Sequence, residues 1–248
     1  MFEKFTEEDI NNVIDEIWID EVLENSKFPK PVSDPKAFVF GGPPGAGKSS
    51  SMDKVAAEYL DSNALIISGD DYRRYHPNFR ILKTYGDEWS LKTSEWSAAI
   101  YEKIFEKATK EKYNIQIEGT FRDKKIVLAT LDRLKDKGYA VNIAVVVASR
   151  ALSEESIKER YDRQKKAGLA PRAVSAQYLD EYYQKFSSNT VDIFMAQKHS
   201  IFVVFQREKG KPVEKVFDST LSKEPITEQF IDKIINNRSK SFSVGLSR

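Results

Sequence analysis

Cysteine is absent from this chain of 248 residues, and histidine is nearly absent. Without cysteine the protein has neither a disulfide framework nor a thiolate metal site. The two histidines, His76 and His199, are too few for a typical metal centre built from imidazole ligands. The sequence therefore excludes a disulfide scaffold and disfavours a metal centre of these ligand types.

A large charge of one sign and a long apolar run are also lacking. The formal net charge is +1, so nothing indicates broad electrostatic attraction to nucleic acid or to a membrane. No run approaches the roughly 20 apolar residues of a membrane helix. The N-terminus MFEKFTEEDI is acidic and lacks the apolar core of a signal peptide. We expect a cytoplasmic protein with neither a nucleic-acid partner nor a membrane partner.

Short apolar strands alternate with helical segments along most of the chain. The predicted strands cover residues 37–40, 64–67, 113–117, 139–148 and 201–205, and a hairpin or edge extension follows over 207–220. Among the predicted helices is a long one over 89–110. This alternation predicts an α/β fold with a mainly parallel central sheet and helices on both faces.

The two ends of the chain differ from this core. Residues 6–25 carry apolar side chains at helical spacing, and this helix either packs on the core or offers a surface to a partner. Residues 26–36 hold three prolines and are typical of a linker. A last helix is predicted over 227–237, before a polar tail that we expect to be flexible. We divide the chain into an N-terminal helix and linker (1–35), a core (36–220) and a C-terminal helix with its tail (221–248).

The segment GGPPGAGKSS lies between a predicted strand and a predicted helix and matches G-x-x-x-x-G-K-[ST] at every fixed position. Its glycines let backbone N–H groups converge on phosphate oxygens at the helix N-terminus. In such a P-loop, Lys48 reaches the β- and γ-phosphates and the Ser49 hydroxyl ligates Mg²⁺. We expect a site for ATP and Mg²⁺ rather than a glycine-rich turn with a chance lysine. The predicted nucleotide-binding residues are Gly42, Pro43, Pro44, Gly45, Ala46, Gly47, Lys48, Ser49 and Ser50.

A second polar segment, ISGDDYRRYHPNF, indicates where the phosphate goes. The Asn-Lys-x-Asp segment of GTPases is absent, and so is an ATPase strand with a terminal acidic pair. Asp70 follows the second predicted strand at the edge of the sheet that carries the P-loop. A carboxylate there can accept the proton of a hydroxyl that attacks the γ-phosphate. Its position alone equally allows a solvated turn, and Arg73 adds local charge.

The third predicted strand ends in IEGTFR, which brings Glu118, Thr120 and Arg122 to the same edge. An acid, a hydroxyl and a guanidinium together suit a polar acceptor such as a sugar, and strand ends face the crevice where ligands bind. The alternative is that Glu118 caps the helix starting near Asp123.

The segment ERYDRQKKAGLAPR supplies candidate cations for the transferring phosphate. Arg160 lies late in a predicted helix, and Arg172 lies in or beyond the following loop. Arginines supplied within the chain stabilise the charge that spreads over γ-phosphate oxygens. Arg163, Lys165 and Lys166 lie nearby, so a solvated face stays an alternative and the residues alone do not choose among these cations.

Taken together, these motifs resemble those of the zeta toxin family of toxin–antitoxin systems, which are P-loop kinases of UDP-N-acetylglucosamine. The resemblance covers roughly residues 36–206 and rests on GGPPGAGKSS, GDDYRRYHPNF, YNIQIEGTFR, LKDKGY and ERY…PRAVSAQYLD. The P-loop is widespread, whereas GD-x-[FY]-[RK]-x-x-HP and IEGT-x-R in this order are much more specific.

The resemblance implies a role for each matching residue. It assigns Asp70 as the base that deprotonates the 3′-hydroxyl of the amino sugar, and Lys48 with Ser49 as the P-loop pair. Arg160 and Arg172 match the two arginines that contact the transferring phosphate. The residues expected to bind the acceptor are Asp70, Arg73, Glu102, Glu118, Thr120, Arg122 and Thr130.

The family also implies toxicity and a partner. An uncontrolled kinase of this type drains a cell-wall precursor, so the resemblance implies a protein antitoxin, which we expect to block the ATP site. The chain departs from the family at Ser68, where relatives carry an acid, and at Leu179, where they carry histidine. Alignment to the family between Arg160 and Arg172 also needs a one-residue gap. These departures concern the acceptor more than the phosphoryl chemistry.

Other functions stay open at this point. The same chemistry could act on another UDP-sugar, on NAD or on an antibiotic hydroxyl. A nucleotide-dependent binding module without kinase activity could instead use the N-terminal helix as its partner surface. A nucleic-acid 5′-kinase is disfavoured because the net charge is near zero and no basic patch is interleaved with aromatic residues.

Overall fold

The structure, a computed structural model, describes residues 2–222 and 224–236; the predicted polar tail lies outside them. The strands are β1 (Lys36–Gly41), β2 (Leu65–Ile67), β3 (Ile115–Glu118), β4 (Ala140–Ala148), β5 (Phe202–Arg207) and β6 (Glu214–Asp218). The α-helices are α1 (Glu7–Ile17), α2 (Lys48–Tyr59), α3 (Phe79–Leu82), α4 (Trp89–Lys92), α5 (Ser94–Lys110), α6 (Lys124–Asp136), α7 (Arg150–Lys166), α8 (Ala176–Met195) and α9 (Glu228–Asn236). Within these described ranges, no helix combines the length and the apolar character needed to cross a membrane.

The strands form one sheet in the order β2-β3-β1-β4-β5-β6. Strands β1 to β5 pair in parallel, and β6 pairs with β5 in the antiparallel sense, as an edge extension. The predicted mainly parallel sheet is therefore confirmed. Because parallel strands end at one edge of a sheet, the segments that follow β1, β2 and β3 are brought close together there.

The sheet separates two hydrophobic cores, because successive side chains of a strand point to opposite faces. Along β1, Ala37 and Val39 belong to one core, whereas Phe38 and Phe40 belong to the other. Helices α1, α5, α6, α8 and α9 contribute buried side chains to the first core, and α2 and α7 contribute to the second. Helices thus cover both faces, as predicted.

The N-terminal helix packs on the core, which was one of its two expected arrangements. Thr6 and Asp9 form a capping box, in which Thr6 Oγ1 accepts from the Asp9 N–H at 3.1 Å and Asp9 Oδ2 accepts from the Thr6 N–H at 2.7 Å. Ile10 and Ile17 are buried. Beyond α1 the chain continues as a π-helical segment, Trp18–Glu24, before the proline-rich stretch leads into β1.

The predicted continuous helix over 89–110 is wrong in one respect, because it is divided at Thr93. This residue has φ −104° and ψ 9°, outside the helical region, and it separates α4 from α5. Its buried hydroxyl donates to the Trp89 carbonyl oxygen at 3.0 Å and accepts from Arg73 at 3.2 Å. A threonine hydroxyl that bonds the backbone competes with regular helix, which accounts for the break. Short helices, including the 3-10 helix Asp71–Tyr75, connect β2 with α4.

Candidate active site

The loop between β1 and α2 is built from glycines with positive φ. Gly42, Gly45 and Gly47 have φ values of 153°, 78° and 85°, which glycine adopts most readily. Gly47 is the N-cap residue of α2, and no side chain caps this helix. The first backbone N–H groups of α2 are therefore available to an anion, as in a phosphate-binding loop.

A cavity of about 480 Å³ lies against this loop, and we call it the P-loop cavity. Among the predicted nucleotide-binding residues, its lining includes Pro44, Gly45, Gly47, Lys48 and Ser49. Gly42 and Pro43 contribute through their carbonyl oxygens, which accept from Lys48 Nζ at 3.1 and 3.3 Å. Ala46 is fully buried, and Ser50 is exposed in the first turn of α2. Neither of these two lines the cavity.

Lys48 holds its ammonium group inside the P-loop cavity. The side chain is buried, and Nζ lies 3.4 Å from Glu118 Oε1. Burial lowers the pKa of Lys48, while the Glu118 carboxylate opposes that effect. Glu118 is thus the carboxylate at the end of β3 that balances the P-loop lysine. Glu118 does not cap α6, because Asp123 is the N-cap residue of that helix.

Asp70 follows β2 and faces the same cavity. Arg73 Nε donates to Asp70 Oδ1 at 2.9 Å, and Arg172 Nη1 donates to Oδ2. Burial by itself would raise the pKa of Asp70, but Arg172 and Arg73 together lower it. Asp70 is therefore an ionised carboxylate at neutral pH, able to accept a proton. The predicted acceptor contact Arg73 lines the cavity and is also bonded to Ser90 O.

Besides Arg73, three arginines from α7 and the loop after it line the P-loop cavity: Arg160, Arg163 and Arg172. Arg160 Nε and Nη2 are buried and lack hydrogen-bond partners within the described part of the chain. Burial, together with the neighbouring Arg172, lowers the pKa of Arg160. Buried donors without partners are costly, so they indicate room for an anionic ligand. Lys165 and Lys166, which the sequence could not separate from the arginines, do not line the cavity.

A larger cavity of about 900 Å³ adjoins the first, and we call it the acceptor cavity. Glu118, Gly119 and Thr120 line both cavities, so the end of β3 joins them. The other predicted acceptor residues Glu102, Arg122 and Thr130 line this second cavity. The structure therefore groups the predicted site residues into two adjoining spaces at one edge of the sheet.

The side chains of the acceptor cavity are held by polar contacts. Glu102 accepts from Arg133 Nη1 and Nη2 at 3.1 and 2.7 Å. The Thr130 hydroxyl donates to the Ile126 carbonyl oxygen at 2.9 Å, which leaves its lone pairs for another donor. Arg122 Nη2 lies 3.2 Å from Glu181 Oε2. Charged and hydroxyl groups on several elements thus suit a large polar ligand.

Sequence reasoning missed Arg207, which lies at the end of β5. Its Nη1 donates to the Gly45 carbonyl oxygen, and the residue also lines the P-loop cavity. In the strand order, β5 lies on the side of β1 opposite to β2 and β3. Arg207 therefore braces the P-loop from the side away from Asp70 and Glu118. Its position at a strand end was the signal that could have identified it.

The site suits ATP with Mg²⁺ on the chemistry of its donors. The cavity offers the Ser49 hydroxyl and the carboxylates of Asp70 and Glu118, all hard oxygen donors. Across the described residues, no group of three or more His, Asp or Glu side chains is arranged to hold a metal ion. Mg²⁺ typically binds through one or two protein oxygens together with substrate phosphates.

Comparison with known proteins gives a consistent result. The zeta toxin family profile matches residues 19–213. Toxin zeta from Streptococcus pyogenes is 24% identical over 236 residues, which cover 94% of this chain and 80% of that protein. Toxin PezT from Streptococcus pneumoniae is 32% identical over 129 residues, which cover 52% of this chain and 51% of that protein.

Solved structures share the fold. A structure of the PezAT chromosomal toxin–antitoxin system of Streptococcus pneumoniae aligns with a TM-score of 0.81 at 22% identity, over 97% of this chain and 92% of that one. The AvrRxo1-ORF1:-ORF2 structure with ATP aligns with a TM-score of 0.62 at 14% identity, over 97% of this chain and 74% of that one. With a family match over most of its length and the expected α/β fold, this chain belongs to the zeta toxin family.

Proposed function

We propose that this protein is an ATP-dependent kinase that transfers the γ-phosphate of ATP to the 3′-hydroxyl of the amino sugar of UDP-N-acetylglucosamine. One observation carries the proposal. Asp70 lines the P-loop cavity with Lys48, Arg160 and Arg172, and Glu118 of that cavity also lines a second polar cavity. A base in the phosphate site, with an acceptor site adjoining it, is an arrangement suited to phosphoryl transfer to a hydroxyl.

Asp70 would act as the general base. In the structure its carboxylate is neutralised by Arg73 and Arg172, which makes it ionised but weakly basic. An incoming γ-phosphate competes for Arg172, because both are anionic partners of one guanidinium. Release of Arg172 from Asp70 would raise the pKa of the carboxyl group and strengthen the base when the phosphate is in place. Asp70 would then accept the proton of the attacking hydroxyl.

Lys48, Arg160 and Arg172 would stabilise the negative charge that spreads over the transferring phosphoryl group. Arg160 can donate to the phosphoryl oxygens without breaking another contact, since two of its nitrogen atoms are buried without partners among the described residues. Lys48 would exchange its contacts with Glu118 and the loop carbonyl groups for phosphate oxygens. Bound Mg²⁺, held by Ser49, would supply further charge neutralisation at the phosphates.

The acceptor cavity is large and polar enough for a nucleotide sugar. Its size of about 900 Å³ lies at the upper end of the range for small-molecule sites. Glu118 and Thr120 lie where the cavities meet and would contact the reacting sugar, whereas Glu102, Arg122 and Thr130 lie further along. Another UDP-sugar or NAD fits the same description, and Ser68 and Leu179 mark departures from the family pattern that bear on this choice.

The biological role would be that of a toxin, neutralised by a protein antitoxin. Two solved structures that share this fold, those of PezAT and of AvrRxo1-ORF1:-ORF2, support a protein partner of this kind. A kinase that consumes a cell-wall precursor without control is toxic to its own cell, so an inhibitor that covers the P-loop cavity would make the system viable.

A coupled ADP-release assay tests the proposal. Mg-ATP is supplied with UDP-N-acetylglucosamine, other UDP-sugars, NAD or no acceptor, and the wild type is compared with Asp70→Asn. We expect a rate that depends on a UDP-sugar and falls about 10²–10⁴-fold in the variant, because general-base removal has this effect. ATP binding, measured by calorimetry, should be retained because Asp70 does not belong to the P-loop.

Each result has a distinct meaning. A rate that depends on NAD keeps the mechanism and replaces the acceptor. ADP release without acceptor that Asp70→Asn leaves unchanged would mean that water receives the phosphate, and the base assignment would be wrong. Nucleotide binding with no turnover under any condition would favour the binding module instead.

A further inference from the structure

A buried carboxylate lies outside both cavities, in the N-terminal segment. Glu21 belongs to the π-helical segment Trp18–Glu24, and its side chain is 4% exposed. It is three and four residues after the buried Trp18 and Ile17, so it continues the buried face of the preceding helix. A carboxylate in such a position is costly unless it is paired and hydrogen-bonded.

Glu21 is fully engaged with the segment that follows Asp70. Its Oε1 accepts from Arg74 Nη2 and from the Tyr75 hydroxyl, the latter at 2.7 Å. Its Oε2 accepts from Asn25 Nδ2 at 3.3 Å. Arg74 is 61% exposed, so solvent already hydrates this cation, whereas Glu21 depends on its partners. The contact therefore satisfies a buried group of the N-terminal segment with side chains from the segment that follows Asp70.

Arg74 and Tyr75 lie on the same short 3-10 helix as Arg73. This helix, Asp71–Tyr75, begins directly after Asp70. Arg73 contacts Asp70 at 2.9 Å, while the next two side chains contact Glu21. A five-residue 3-10 helix has poor hydrogen-bond geometry and little stability of its own. Its position, and with it the position of Arg73 and Asp70, depends on its anchors.

Arg73 also donates to the Ser90 carbonyl oxygen and to the Thr93 hydroxyl, and two further contacts hold the backbone of this segment. Trp96 Nε1 donates to the Tyr72 carbonyl oxygen at 2.9 Å, and the Ser97 hydroxyl donates to the Gly69 carbonyl oxygen at 2.5 Å. Both come from α5. Glu21 differs because it belongs to the N-terminal segment and holds two side chains, Arg74 and Tyr75, through a buried negative charge.

We propose that Glu21 is a positioning residue for phosphoryl transfer: it anchors Arg74 and Tyr75 and so fixes the helix that aims Arg73 and Asp70. This inference rests on the kinase function proposed above. Glu21 lines neither cavity, so its effect passes through Arg74 and Tyr75. A displacement of about 1 Å at a reacting group can cost about 10²-fold in rate, so a remote anchor of this kind has a measurable effect.

The test compares Glu21→Gln with Glu24→Gln, an exposed glutamate of the same π-helical segment. Glutamine keeps the shape of Glu21 and removes its charge. We expect Glu21→Gln to lower kcat about 10- to 100-fold with the Kd for ATP unchanged, because the P-loop is not altered. Glu24→Gln should match the wild type. Hydrogen exchange of the amides of residues 71–76 should accelerate in Glu21→Gln alone.

The pH profile separates positioning from mere stability. Asp70 faces Arg73 on its own segment, Arg172 from the loop before α8 and Arg160 from α7, with Asp71 as an acidic neighbour. Loosening Arg73 removes one of the cations that keep the Asp70 pKa low. The acid limb of kcat should therefore move to higher pH in Glu21→Gln, in the same direction as in Arg73→Gln.

A double variant identifies the route of the effect. If Glu21 acts through Arg74, then Glu21→Gln combined with Arg74→Gln should be no slower than the slower single variant. An unchanged kcat and acid limb in Glu21→Gln, with only a lower Tm, would overturn the positioning role. Unchanged hydrogen exchange at residues 71–76 would overturn the anchoring itself. A wild type without acceptor-dependent turnover would instead contradict the kinase function.

Discussion

The P-loop cavity and the acceptor cavity meet at Glu118 and Thr120, yet they are constructed differently. The P-loop cavity is founded on one contiguous loop, whose glycine dihedral angles and helix N-terminus prepare backbone N–H groups for phosphate. The acceptor cavity instead presents mainly side chains, from the continuous segment 117–133 and from α5 and α8. Backbone recognition suits a ligand common to many kinases, whereas side-chain recognition can change with the acceptor.

Lys48→Ala should give the largest effect, because it removes the cation that the contiguous loop directs at the phosphates. We expect turnover to fall at least about 10²–10³-fold and nucleotide binding to weaken. Steady-state kinetics and calorimetry with Mg-ATP measure the two quantities. Lys36→Ala, at the other end of β1, is the control and should behave as the wild type. Unchanged kinetics in Lys48→Ala would remove the P-loop interpretation altogether.

Arg207→Gln sharpens the comparison, since Arg207 extends the P-loop cavity beyond the contiguous loop. Loss of its charged hydrogen bond to the Gly45 carbonyl oxygen should raise KM for ATP about 10- to 100-fold, because such a bond contributes about 1.5–3 kcal/mol. KM for the acceptor should not change. Lys209→Gln, an exposed neighbour paired with Glu155, is the matched control. A change in acceptor KM without a change in ATP KM would show that Arg207 is wrongly assigned to the nucleotide site.

Thr130→Val should give the smallest effect and should be confined to the acceptor. Valine keeps the shape and removes the hydroxyl of a residue that lines the acceptor cavity, so we expect acceptor KM to rise about 3- to 10-fold, as for one neutral hydrogen bond. Thr84→Val is the control, because the Thr84 hydroxyl makes a similar backbone bond outside both cavities. Equal effects of the two substitutions would argue against a contact between Thr130 and the acceptor.

The same difference explains what could be predicted from the sequence. The P-loop is one continuous segment, so its residues could be identified from the sequence. The predicted strand ends also placed Asp70 and Glu118 at the correct edge of the sheet. The pairing of Asp70 with Arg172 was not predictable, because it depends on the conformation of the loop between α7 and α8. Choosing Arg160 over Lys165 likewise required knowing which side of α7 faces the cavity.

Two further features could not be predicted from the sequence, for physical reasons. The break at Thr93 arises from a hydroxyl that bonds Trp89 and Arg73, a tertiary contact that helical periodicity does not report. Glu21 occupies a position that the apolar pattern assigns to the core, and its charge has meaning only once Arg74 is known to be its partner. Both features concern the support of the site, which sequence motifs describe least well.

The measurement that tests the central claim most directly follows the phosphate itself. Wild type and Asp70→Asn are incubated with Mg-ATP and UDP-N-acetylglucosamine, and the products are identified by ³¹P NMR. The account predicts a new phosphomonoester signal coupled to the sugar proton at the 3′ position, equal in amount to the ADP formed and nearly absent with Asp70→Asn. ADP accompanied by inorganic phosphate alone, at the same rate in both proteins, would contradict it.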